Sequence, residues 1–226
     1  MKKLLLVAVV FGSALASCTG SKNIKSFSET DSLAYAIGID YGSHAKRLDS
    51  TMNASVIYAA IQDVLANKPQ MTQEESYAFL NEWFSVRVPA KNKAEAAAWL
   101  EEVKAENPNI KTTESGLMYE VIAEGDAAVK AVNDNDQVMV NYKGTLKNGT
   151  QFDANDSLTF ALNRVIKGWT EGMKLVGKGG TVHLWIPAEL GYGERGSGAI
   201  PPNAALKFEV DLLDVIPAAP VEEVVE

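Results

Sequence analysis

Few side chains in this chain suit bond-making chemistry. His44 and His183 are the only histidines and Cys18 is the only cysteine. One histidine falls in a helical pattern and the other in a strand pattern of a different domain, with no hydrolase motif beside either. A Ser/His/Asp relay and a metal site are therefore set aside. Gly177-Lys178-Gly179-Gly180 lacks the spacing of a phosphate-binding loop. What remains is apolar. Val165-Ile166-Lys167-Gly168-Trp169 places a Trp directly after a Gly where a helix starts, and Ile200-Pro201-Pro202-Asn203 to Phe208 follows some thirty residues later. Gly admits a close neighbour, so this Trp can form the floor of a cavity that binds rather than attacks. Its rival is an ordinary core position.

The elements that must position these residues come in two kinds. Leu33, Ala34, Ile37, Tyr41 and Ala45 recur at helical spacing behind Thr30 or Asp31 as cap. Val56, Ile57, Ala60, Ile61, Val64 and Leu65 do so behind Asn53, and Tyr77 to Phe84 behind the capping box Thr72-Gln73-Glu74-Glu75. Pro89 is expected to interrupt that third pattern. Residues 93–106 then read as a solvated spacer helix with a thin stripe of Ala94, Ala97, Ala98, Leu100 and Val103.

Past residue 107 the period turns from helical to alternating. Leu117 to Ile122, Val138 to Lys143, Leu158 to Leu162, Val182 to Ile186 and Leu206 to Leu212 read as strands, with Asn148-Gly149 as a turn and one short helix over 169–175. The fold class is α+β: an all-helical domain, then a small antiparallel sheet around one helix.

Met1-Lys2-Lys3 followed by the apolar run Leu4 to Leu15 reads as a signal peptide, too short to span a bilayer. Without residues 1–17, Lys+Arg falls from 21 to 19 against 29 Asp+Glu, so the net charge moves from -8 to -10. That excludes nucleic acid as a partner. Any tie to a membrane must come from lipid.

Five motifs stand in one order: Val140-Asn141-Tyr142-Lys143-Gly144, Asn148-Gly149-Thr150-Gln151-Phe152-Asp153, Val165-Ile166-Lys167-Gly168-Trp169, Gly191-Tyr192-Gly193 and Ile200-Pro201-Pro202-Asn203-Ala204. In that order they resemble the FKBP-type peptidyl-prolyl cis-trans isomerases, over residues 113–216. The helical part, with Asp31 to Gly38, is similar to the N-terminal domain of the macrophage infectivity potentiator form of that family. Leu15-Ala16-Ser17-Cys18 resembles the bacterial lipobox.

The residues thus divide into signal peptide 1–17, tether 18–28, helical domain 29–107, sheet domain 108–217 and a Pro-rich acidic tail 218–226 that reads as disordered. The resemblance implies that the tether is lipidated, that 29–107 dimerises and that 108–217 is an isomerase domain with an FKBP-like sheet. It implies that Tyr142, Phe152, Asp153, Ile166, Trp169, Tyr192 and Phe208 carry catalysis, Trp169 lying under the proline ring and Tyr192 donating to a substrate carbonyl. Val165, Leu158 and Ile200 would contact substrate, Ile200 from a loop that closes over it. No cofactor is implied. The partners implied are proline-containing polypeptides, a second copy bound through residues 29–107, and a membrane of the bacterial envelope, with Cys18 bearing the lipid. Because Thr19 is not Asp, the outer membrane is favoured. Macrolide binding is implied less firmly than isomerisation, since the 152–160 and 192–200 segments are short.

The chemistry is consistent with so few reactive groups. Amide rotation is opposed by resonance, with a barrier of about 18 to 20 kcal/mol. A dry site that favours the twisted amide lowers it without a nucleophile, each ~1.4 kcal/mol giving about tenfold. A second reading is a dimeric holdase chaperone whose C-terminal pocket only binds.

Overall fold

A computed structural model of the chain describes residues 28–218. The leader, Cys18, most of the tether and the tail from residue 219 lie outside the described residues. The chain forms two units, one through Gln70 and one from Met71. The sequence reading places a boundary at 107, where the hydrophobic period changes. Two helices instead group with the sheet.

The first unit holds α1 (Glu29–Leu48) and α2 (Ala54–Leu65). Ser28 caps α1, not Thr30 or Asp31. Its Oγ accepts from the Asp31 N–H at 3.1 Å while the Asp31 carboxylate reaches back to the Ser28 N–H, which puts Asp31 in the third helical position of a capping box. Asn53 caps α2 as the sequence indicates, accepting from the Ser55 N–H at 2.9 Å. Asn67, at φ 55, ends it in the left-handed conformation that Asn tolerates.

The second unit opens with α3 (Gln73–Glu82), capped by Thr72 and Glu75. A π turn, Trp83–Arg87, leads without a break into α4 (Val88–Glu106). Pro89 therefore does not interrupt the helix. Proline lacks an N–H, and the wider turn just before it absorbs the missing hydrogen bond.

Nor is α4 a free spacer. Ala94, Ala97 and Ala98 are exposed, and the covered stripe is Asn92, Ala96, Trp99, Leu100 and Val103. Trp99, Leu100 and Val103 pack with Ile110, Met118 and Trp185 into a second small core. The sheet's outer face offers Trp185, and an apolar helix face buries it.

Eight strands follow: β1 (Lys111–Thr112), β2 (Met118–Ala123), β3 (Asp126–Lys130), β4 (Gln137–Leu146), β5 (Gln151–Ala161), β6 (Gly177–Lys178), β7 (Thr181–Ile186) and β8 (Leu206–Ile216), with α5 (Lys167–Gly172) between β5 and β6. Six form one antiparallel sheet in the order β1-β2-β7-β8-β4-β5, and β3 pairs β6. Val182 faces Val210, Leu184 faces Phe208 and Ile186 faces Leu206, so one face of the sheet is continuously apolar.

Against that face lies α5. A Cβ on Gly168 would stand 2.5 Å from Ile186 Cγ2, and one on Gly172 would stand 2.6 Å from Leu184 Cδ1. Two glycines one helical turn apart thus let the helix backbone touch β7. That approach fixes where Trp169, between them, must point.

Candidate active site

Trp169 is 5% exposed and forms the floor of the main aromatic cluster. Tyr142, Phe160 and Phe208 each meet it edge-on, with centroids at 5.0, 5.3 and 5.1 Å. Each such pair contributes about 0.5–1.5 kcal/mol beyond its buried area. The rings are therefore held in place without a ligand. Phe152 stands against Phe208 at 5.4 Å and 89°.

Above these rings opens a cavity of about 400 Å³. Tyr142, Asp153, Leu158, Val165, Ile166, Trp169, Tyr192 and Phe208 line it, as the sequence indicates, together with Phe160 and Arg164. β4 supplies Tyr142 and β8 supplies Phe208. Ile166 caps α5 from an extended conformation, and its carbonyl accepts from the Trp169 N–H at 2.9 Å. The Thr170 hydroxyl donates to the Leu162 carbonyl at 2.6 Å and ties the helix start to the end of β5.

Two of the residues named from sequence are not among those that line the cavity. Phe152 meets Phe208 edge-on at 5.4 Å and is not among the residues that line the cavity. Ile200 is 7% exposed, packs in the main core, and pairs through its backbone with Ser197. An isoleucine beside two prolines gains more from burial than from solvent.

Phe160 and Arg164 escaped the sequence reading. Tyr142 pairs with Asn155 but Val140 pairs with Leu158, so β5 carries one extra residue between them. Ser157, at φ 55, marks that bulge, and its N–H donates to Asn141 Oδ1 at 2.8 Å. The extra residue shifts the alternation, so Asp153 before it and Leu158 and Phe160 after it face the same cleft. Unbroken alternation could not bring all three together.

The polar groups sit at the rim. Tyr142 Oη donates to Asp153 Oδ2 at 2.7 Å. Burial pushes the Tyr142 phenol far above its usual range, and the hydrogen bond and charge of Asp153 push the same way. Burial, then the charge of Asp153, also raises Tyr192, whose hydroxyl makes no hydrogen bond among the described residues. Both phenols stay protonated at neutral pH. The cleft offers an apolar floor, one oriented carboxylate, one free O–H donor and one exposed cation, Arg164. It is built to hold a group and orient a carbonyl, not to attack one.

A family model described as FKBP-type peptidyl-prolyl cis-trans isomerase matches residues 129–213, and one described as the domain amino-terminal to it matches residues 30–121. The FKBP-type isomerase FkpA of Escherichia coli (strain K12) is 38% identical over 205 residues, covering 82% of this chain and 75% of that protein. The outer membrane protein MIP of Legionella longbeachae is 33% identical over 235 residues, covering 97% and 100%. The crystal structure of FkpA from Escherichia coli superposes with a TM-score of 0.58 at 35% identity, over 85% of this chain and 99% of that one. On its aromatic cleft and on these relatives alike, the chain belongs to the FKBP-type peptidyl-prolyl cis-trans isomerases, enzymes that accelerate rotation about X-Pro peptide bonds.

Proposed function

We propose that this isomerase works in the bacterial envelope as a lipid-anchored dimer, catalysing X-Pro rotation in the cavity above Trp169. The observation that carries the catalytic assignment is the closed ring cluster of Tyr142, Phe160, Trp169 and Phe208 around a space of about 400 Å³. A proline ring laid on Trp169 leaves the preceding amide among groups that cannot hydrate its nitrogen. Water stabilises the planar, charge-separated amide, so its removal favours the twisted form. The Tyr192 hydroxyl donates to a flanking carbonyl and holds the chain while the bond turns. Phe152 acts through Phe208, and Ile200 through the loop it anchors. Macrolide rings of suitable shape compete for the same space.

Dimerisation rests on the first unit. α1 and α2 bury none of their residues, while Leu33, Ile37 and Tyr41 on α1 and Ile57, Ile61 and Val64 on α2 stand exposed at helical spacing. Apolar stripes of this kind need a partner, and a second copy presents the same stripes. The lipid is assigned to Cys18 from the lipobox-like Leu15-Ala16-Ser17-Cys18, and the outer membrane from Thr19 and from the likeness to MIP.

The deciding measurement is isomerisation of a short X-Pro peptide by the chain from Thr19 onward, alone and with Asp153→Ala or Phe208→Ala. Full rate in both variants removes the cleft from catalysis. The mass of intact Cys18 peptides from membranes separates a diacylglyceryl-modified cysteine from a free one.

A further inference from the structure

Asn203 is a buried polar residue, 8% exposed, held at φ 57 in the left-handed region. Its side-chain amide donates to the carbonyl of Pro89, at the start of α4, at 3.1 Å. The bond is answered. Asn92, one turn further along α4, donates its side-chain amide to the carbonyl of Pro202 at 2.9 Å. Both acceptors are backbone carbonyls, so only the amide nitrogens can face them. These reciprocal bonds join residues 114 and 110 positions apart.

The loop they grip is the one that carries Tyr192. The Asn203 N–H donates to the carbonyl of Gly193, the residue after Tyr192, at 2.9 Å. Ser197 and Ile200 exchange backbone bonds of 3.0 and 2.8 Å and close the loop on itself. Asn203, together with Asn92 on the Pro202 carbonyl, ties the base of the loop to the helix by hydrogen bonds. Lower down, α4 is fixed independently by Trp99 on the second small core, so the amide pair sets only the upper end.

We infer that Asn92 and Asn203 are positioning residues for isomerisation, a clamp through which the helical arm holds the Tyr192 loop over the cleft. The inference rests on the role given to Tyr192 above. Neither residue lines the cleft. Their contribution is to limit the conformations from which the Tyr192 hydroxyl must be recruited, which lowers the ordering cost of binding.

The test is kcat/KM of the full-length chain in detergent on a short X-Pro peptide, for Asn92→Ala, Asn203→Gly and Tyr192→Phe, and for each Asn variant combined with Tyr192→Phe. Gly keeps the positive φ of residue 203, and Ala suits the helix at 92, so both variants retain their backbone. Each Asn variant should lose about three- to tenfold, the usual cost of one such hydrogen bond, and less than about twofold once Tyr192 is already Phe. Equal losses in both backgrounds, or none, overturn the clamp. If Tyr192→Phe alone is slow and the Asn variants are not, only the clamp fails. If Tyr192→Phe is as fast as the unaltered chain, the Tyr192 role fails and the clamp with it.

Discussion

Tyr142 Oη donates to Asp153 Oδ2 at 2.7 Å, joining β4, inside the sheet, to β5 at its edge. The bond takes up the phenol's only proton and aims one carboxylate oxygen at it. Asp153 is thereby held in one orientation at the rim of the cleft.

Tyr142→Phe removes that bond and leaves the ring against Trp169. Its kcat/KM on an X-Pro peptide should fall about two- to tenfold, with thermal unfolding lowered by no more than a few degrees, because one partly exposed hydrogen bond contributes about 0.5–1.5 kcal/mol. Asp153→Ala should fall by a similar factor, and the double variant by little more than either. Losses that multiply would mean that the two residues act separately.

Gly144 faces Phe208 across the β4–β8 pair. A Cβ there would meet Phe208 Cε1 and Phe152 Cζ, each at 2.7 Å. Gly144→Ala must push both rings, so it should destabilise the chain by about 1–3 kcal/mol in urea unfolding and slow isomerisation as well. Unchanged activity with lowered stability would show that the Phe208 position is not critical to the cleft.

The parts of this site that could be read from sequence are those that lie together in the chain. Val165, Ile166 and Trp169 share five residues, and Gly168 and Gly172 announce a close backbone approach that the structure contains. Phe160 shares a face with Leu158 by simple alternation, but that Asp153 joins them depends on the bulge at Ser157, and nothing in Asn155-Asp156-Ser157 states that one residue is extra. The stripe on α4 failed for another reason. Alanines compete equally for the buried face of a helix, and what decided was Trp185 on a strand some eighty residues away. Local patterns reveal elements, whereas pairings between distant elements choose which face is used.

Phe160 offers a direct check on that bulge. Its ring meets Trp169 at 5.3 Å. Phe160→Leu should keep the fold and reduce kcat/KM about two- to fivefold, since one edge-to-face contact is lost and the cleft wall becomes mobile. Thr159→Leu, on the opposite face, should leave the rate unchanged. The reverse order would place the alternation of β5 in the wrong register.

If the first unit pairs with a second copy, a charge in its apolar stripe should separate the two. Ile37 and Ile61 are exposed in the single chain, so Glu at either position carries no folding penalty of core type. Ile37→Glu and Ile61→Glu should each shift the mass in sedimentation from dimer to monomer at micromolar protein, with the peptide isomerisation rate per chain unchanged. A dimer that survives both changes is not held by these stripes.

Asp136 allows a test on the acid side. It is 2% exposed, and its carboxylate accepts from the backbone N–H groups of Val132, Asn133 and Ala218 at 2.8, 2.8 and 2.9 Å. Burial alone would raise its pKa, but these donors outweigh it and the net direction is downward. A carboxyl lowered in the folded state adds stability that is complete above the unfolded value of about 3.9 and is lost as pH falls through the folded one. Asp136→Asn keeps the shape and removes the charge. It should cost about 1–3 kcal/mol in unfolding at pH 7, and the gap from the unaltered chain should hold down to about pH 5 and narrow below about pH 4. A gap that stays constant to pH 3 would assign the loss to shape rather than charge.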